Sequence, residues 1–183
     1  NCTAVSSNNI QGMEDLVKYI YGQGHRKIAY IHGQQASYVT KDRLASFYRT
    51  VDELGLKIQD EYIRTADYLE TREAAKQTKE LLNLEDPTTC IIYPDDTSLI
   101  GGRNVIIEMG LRIPQDISIA GYDGTRMSQL LHPQLTTIRQ ETELIGSEAA
   151  KRLIGSIEKP RTTLVERVVI EGILVAGKSV GRI

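Results

Sequence analysis

The chain has 183 residues, 40% apolar and 25% charged, long enough to bury a core without disulfide or metal staples. Lys and Arg number 22 against 24 Asp and Glu, and the net charge of −2 argues against this segment gripping DNA phosphates or an anionic membrane, which takes clustered cations. No apolar run reaches the roughly 18–20 residues of a membrane-spanning helix.

In chain order, Asn1 opens without Met or a charged-then-apolar leader, so a fragment of a longer protein is expected. Met13, Leu16, Val17, Ile20 and Tyr21 recur at helical spacing, with Asn8 or Asn9 as cap and Gly22 and Gly24 as stop. Residues 27–33 are an apolar run ending in glycine, a buried strand. Leu44, Phe47, Tyr48, Val51 and Leu54 mark a second helix stopped by Gly55. A strand over 63–67 follows, then a helix around Ala74, Thr78 and Leu81 that ends before Pro87. Residues 90–93 form a strand, and Asp95, Asp96 and Thr97 open a helix to about Gly110. Residues 117–123 make another strand.

Strands alternating with helices imply a parallel α/β sheet with helices on both faces. After Pro133 the rhythm changes. A strand at 135–139 and a helix from Leu144 to Ile157 are followed by two apolar runs, 164–170 and 173–176, with no helix between them. A second lobe joined by crossovers is expected. Cys90 sits in an apolar run and reads as a small buried hydrophobe. Two cysteines make no disulfide framework, which points to a reducing cytoplasm.

Ligands of open α/β sheets bind beyond the carboxyl ends of the strands. That selects residues 33–38, Asp67 and Tyr68, residues 94–97, and residues 122–124. Such a rim suits a neutral molecule with many hydroxyls: carboxylates there accept hydroxyl hydrogen bonds, and an aromatic face covers the apolar side of a ring. One alternative is a Mg²⁺-dependent enzyme using Asp95, Asp96 and Asp123, although no nucleophile is paired with a base. Asp95 and Asp96 also suit a plain helix cap. Residues 172–179 match the phosphate-loop pattern G-x-x-x-x-G-K-S, but the middle residues Ile173, Leu174, Val175 and Ala176 belong in a strand and no helix follows. His25, His32 and His132 lack metal-ligand spacing, so neither a metal nor a cofactor is expected.

Several segments, in order, resemble one family. They are Gly24-His25-Arg26-Lys27-Ile28-Ala29, Arg43-Leu44-Ala45-Ser46-Phe47, Asp96 within residues 93–97, residues 110–119 with Gly121-Tyr122-Asp123-Gly124, Pro133 to Gln140, and Ile145-Gly146. The chain resembles the effector-binding domain of LacI/GalR transcription repressors, which is similar to periplasmic sugar-binding proteins. The resemblance implies two lobes around a cleft: residues 10–137 and 172–183 in the C-terminal lobe, residues 1–9 and 138–171 in the crossover and part of the N-terminal lobe, and a helix-turn-helix upstream. It implies a small-molecule effector, a homodimer, operator DNA bound only through the upstream module, a cytoplasmic location and no catalysis. A periplasmic-type sugar-binding protein of a transporter is the related alternative.

By motif, the resemblance makes Asn8, Ser37, Arg43, Tyr68, Asp95 and Asp123 ligand-binding residues. Arg43 would grip the effector, Asp123 and Asp95 would accept hydroxyl hydrogen bonds, and Tyr68 would stack on a ring. Ser46 stands where the family has glycine, and Gly177 where arginine is common. Helix 97–110, with Leu99, Ile106 and Ile107, is a candidate dimer face, the other reading being core packing.

Overall fold

The computed structural model describes residues 3–159 and 164–183. In chain order the elements are β1 (Ala4–Ser7), α1 (Asn9–Gly22), β2 (Ile28–His32), α2 (Tyr38–Glu53), a 3-10 turn (Asp60–Tyr62), β3 (Ile63–Thr65) and α3 (Thr71–Leu82). Then come β4 (Cys90–Ile92), α4 (Asp96–Glu108), β5 (Ser118–Asp123), α5 (Arg126–Leu130), β6 (Thr136–Arg139), α6 (Thr142–Glu158), β7 (Arg167–Ile170) and β8 (Ile173–Val175). The expected alternation holds from α1 to β5. The spacing did not predict β1, α5 or the 3-10 turn.

Six strands form one sheet in the order β3-β2-β4-β5-β6-β8. Every neighbouring pair is parallel except β6 with β8, which run antiparallel. All five residues of β2 and all three of β4 are buried, because helices cover both faces and no alternation with polar residues is needed. On one face, Met13, Leu16, Val17 and Ile20 of α1 and Phe47 and Val51 of α2 pack on Ile28, Tyr30, Ile92 and Tyr122. On the other, Ala74 and Leu81 of α3 and Leu99 and Ile106 of α4 pack on Ala29, Ile31, Ile91 and Ile119. Each fully buried Leu, Ile, Val, Met or Phe side chain among them contributes about 1.5–3 kcal/mol. Cys90 is in the first of these cores, where burial pushes its thiol pKa up; Cys2 lies outside the described residues.

β1 and β7 pair in parallel as a separate two-stranded sheet, and the Asn8 N–H continues the ladder by donating to the Ile170 carbonyl at 2.7 Å. α6 packs against β1 and buries none of its residues fully. β6 remains in the six-stranded sheet to Arg139, opposite Asp123, two residues past the expected lobe boundary at 137. The helix 97–110 expectation divides: Leu99 and Ile106 are core residues with no exposed surface, and only Ile107, 49% exposed, is available to a partner.

Candidate functional site

The connection from β2 leads to β3 on one side, and the chain then crosses to β4 on the other. The strand order therefore reverses between β2 and β4, which opens a crevice at their carboxyl ends. Arg43 spans it. The residue is 3% exposed; Nε donates to Asn9 Oδ1 at 2.8 Å and Nη1 to the Pro94 carbonyl at 2.8 Å. Nη2 stands 4.0 Å from Asp123 Oδ1. Behind the fork, the Tyr122 ring faces it with 3.4 Å from Cζ to the centroid, an arrangement that stabilises the cation where water is excluded.

Asp123 ends β5 with φ +105°, a left-handed conformation uncommon for a residue with a side chain. Gln140, just past β6, holds it at two points: its backbone N–H donates to the Asp123 carbonyl at 3.1 Å and its side-chain amide to Oδ1. Burial raises the Asp123 carboxyl above the ordinary range, with Arg43 and Gln140 pulling the other way. Such a carboxylate in contact with a cleft is a receptive acceptor for ligand hydroxyls.

Tyr68 follows β3 on a short loop. Its hydroxyl shares a 2.9 Å hydrogen bond with Thr40 Oγ1, and its ring lies so close to Gly33 that a Cβ there would stand 2.2 Å from a ring carbon. Only glycine admits that approach. Ser37 caps α2 by accepting from the Thr40 N–H. These groups surround a cleft of about 340 Å³ whose walls include Ser7, Asn9, Ser37, Arg43, Tyr68, Asp123 and Gln140.

Four of the six predicted residues, Ser37, Arg43, Tyr68 and Asp123, thus meet in one cleft. Two do not. Asn8 caps α1, accepting from the Gln11 N–H at 3.1 Å, and lies outside this cleft; Asn9 takes the place expected of it. Asp95, 1% exposed, is turned inward: its carboxylate accepts from the Ser98 N–H and Oγ, both at 2.8 Å, and from the Leu69 N–H at 2.9 Å. It caps α4 and ties down the loop carrying Tyr68. Gln140 and Asn9 were missed. Gln140 obeys the strand-end rule, applied to four strands and not to β6.

Asp96 is buried and accepts from the Thr125 N–H and the Thr137 hydroxyl, each at 2.8 Å, and burial raises its carboxyl. Asp95, Asp96 and Asp123 therefore each serve different protein donors, as a shared cation site would not have them do. Among the described residues, no three His, Cys, Asp or Glu side chains gather as a metal site. His25 is held by Thr89 Oγ1 and the Gly181 carbonyl, and His32 by the Gly33 carbonyl and Thr65 Oγ1.

The phosphate-loop match is strand β8 followed by an irregular tail of which Ser179 and Val180 are buried. Ser179 Oγ donates to the Ile119 carbonyl at 2.6 Å and accepts from the Thr136 N–H at 2.9 Å. At Gly177 a Cβ would stand 2.4 Å from the Gln134 carbonyl oxygen, so no arginine fits there. The other departure, Ser46, adds a bond: its hydroxyl donates to the Ile10 carbonyl at 2.7 Å.

The family model for a periplasmic binding protein-like domain matches residues 17–180. The HTH-type transcriptional repressor PurR of Aliivibrio salmonicida is 32% identical over 154 residues, covering 84% of this chain and 46% of the repressor. A LacI-family regulatory protein from Chloroflexus aggregans superposes with a TM-score of 0.89 at 28% identity, over 99% of this chain and 64% of that one. The transcriptional regulator CelR in complex with cellobiose gives 0.89 at 26% identity, over 97% and 54%. The chain spans about half the length of the curated relatives it matches. It belongs to the periplasmic binding protein-like domain family, in the form found in LacI-type transcription repressors.

Proposed function

We propose that this chain is the effector-sensing part of a cytoplasmic, homodimeric LacI-type repressor, and that it binds a small hydroxyl-rich metabolite, a neutral sugar, without transforming it. The observation that carries the reading is the buried Arg43 fork, braced by Asn9, Pro94 and Tyr122 and open toward Asp123. It offers a donor beside an acceptor at a strand-end crevice, the pairing that a vicinal diol matches. Arg43 is the cleft's one cation among the described residues, which favours a neutral ligand over a phosphate. The relative solved with cellobiose supports a sugar.

The proposed mechanism is linkage. Gln140 touches the ligand-facing Asp123 and stands one residue before Glu141, the cap of α6, which packs on β1. A ligand that fits one angle between the two sheets better than another shifts that equilibrium, and in the whole repressor the shift changes operator affinity.

A thermal-shift screen of the full-length protein against sugars, sugar phosphates, purines and Mg²⁺ with nucleotides tests this. A ligand at a hundred times its Kd stabilises by about 2.7 kcal/mol. A shift with a sugar that Asp123→Ala abolishes, with altered operator binding by the same sugar, is the expected result. A shift with Mg²⁺-nucleotide alone overturns it.

A further inference from the structure

A second depression, of about 350 Å³, adjoins the cleft, and Ser7 and Asn9 line both. Successive positions at the start of α2 serve the two. Val39 and Arg43 face the cleft, while Tyr38 and Asp42, one helical step round, face the depression.

The side chains there are those of a ring-binding surface. Ser7 is only 9% exposed, and its hydroxyl, at the junction of the two spaces, is buried without a hydrogen-bond partner. Rotated into the junction, that hydroxyl can pair with a ligand oxygen and lose the cost. Tyr38 keeps 54% of its surface exposed. Arg167 of β7 stands over one face of the Tyr38 ring, its Cζ 4.8 Å from the centroid, and its Nη2 is 3.7 Å from Asp42 Oδ2, so a charged fork is held on that face. The part of the ring left exposed can take the C–H face of a pyranose, with the sugar's hydroxyls on the fork.

We propose that the cleft and this depression are two subsites of one site, and that the ligand is a disaccharide bridging them past Ser7. Its inner ring lies at Arg43 and Asp123, and its outer ring lies on Tyr38. This rests on the sugar reading above.

Isothermal titration of the full-length protein with glucose, galactose and ribose, and with cellobiose, maltose and lactose, is the test. One disaccharide is expected to bind at least tenfold tighter than any of the three monosaccharides. Tyr38→Ala lowers that ratio at least tenfold, and Tyr38→Phe keeps it. Equal affinity for the best monosaccharide and the best disaccharide, or a ratio untouched by Tyr38→Ala, overturns the second subsite and leaves the sugar reading standing. Binding of none of the six overturns both.

Discussion

The Arg43 guanidinium lies on the face of the Tyr122 ring, 3.4 Å from its centroid, with its edge donors committed to Asn9 and Pro94. One side chain thereby joins the start of α1, the first half of α2, the loop after β4 and the end of β5. A lysine carries the charge but cannot serve two acceptors in a fixed plane. Arg43→Lys is expected to lower unfolding free energy by about 2–4 kcal/mol, as for a buried charge stripped of its hydrogen bonds. Urea titration measures it, and a change below about 1 kcal/mol shows that the brace is not structural.

Asp96 gives the pH prediction. Its folded pKa is raised, chiefly by burial, so the folded state binds the proton more tightly than the unfolded chain does. Its contribution to stability is full below the ordinary carboxylate value near 4 and is lost as pH rises through the raised value. Asp96→Asn removes that titration. The stability difference between wild type and Asp96→Asn should therefore change steeply from about pH 4 upward and flatten above the raised pKa. Urea midpoints for both proteins between pH 4 and 8 read this; a constant difference across that range contradicts it.

Much of this architecture was legible because the central strands carry unbroken apolar runs and the helices carry 3.6-residue stripes. β1 was not legible. Its four residues, Ala4–Ser7, show no alternation, and their partners on β7 stand 163 residues away in the chain. At the site, motif and strand-end rule pointed to Arg43, Tyr68 and Asp123, which the structure brings to one cleft. They misplaced Asn8 because neighbouring asparagines can both cap a helix, and only the backbone direction decides which one does and which one reaches Arg43. They misjudged Asp95 because a capping carboxylate and a ligand-binding one look alike until the donors around them are known.

Lys178 and Ser179 separate a phosphate loop from its look-alike. Lys178 is exposed, whereas the Ser179 hydroxyl joins two buried backbone groups on β5 and β6. Lys178→Ala is expected to stay within about 0.5 kcal/mol of wild type. Ser179→Ala, which leaves the Thr136 N–H unsatisfied, should cost about 1–3 kcal/mol. Neither should alter ATP binding, measured by equilibrium dialysis; loss of a real ATP affinity in Lys178→Ala reinstates the phosphate loop.

Gln140 is the residue whose removal separates binding from folding. Asp123 holds a strained φ of +105°, a cost of about 1–3 kcal/mol that its neighbours must offset. The Gln140 side-chain amide donates to Asp123 Oδ1, the same oxygen that stands 4.0 Å from Arg43 Nη2, and so holds the carboxylate at that separation. Without the amide, the carboxylate is free to close on the guanidinium, and the ion pair then occupies the donor and acceptor a ligand needs. The backbone bond from Gln140 to the Asp123 carbonyl survives any substitution other than proline. Gln140→Ala is therefore expected to leave the urea midpoint nearly unchanged while weakening sugar binding about tenfold, or ~1.4 kcal/mol. Titration of the sugar that stabilises the wild type decides it. Undiminished affinity would mean that Gln140 merely sits beside the site, whereas a large loss of stability would assign it to the scaffold.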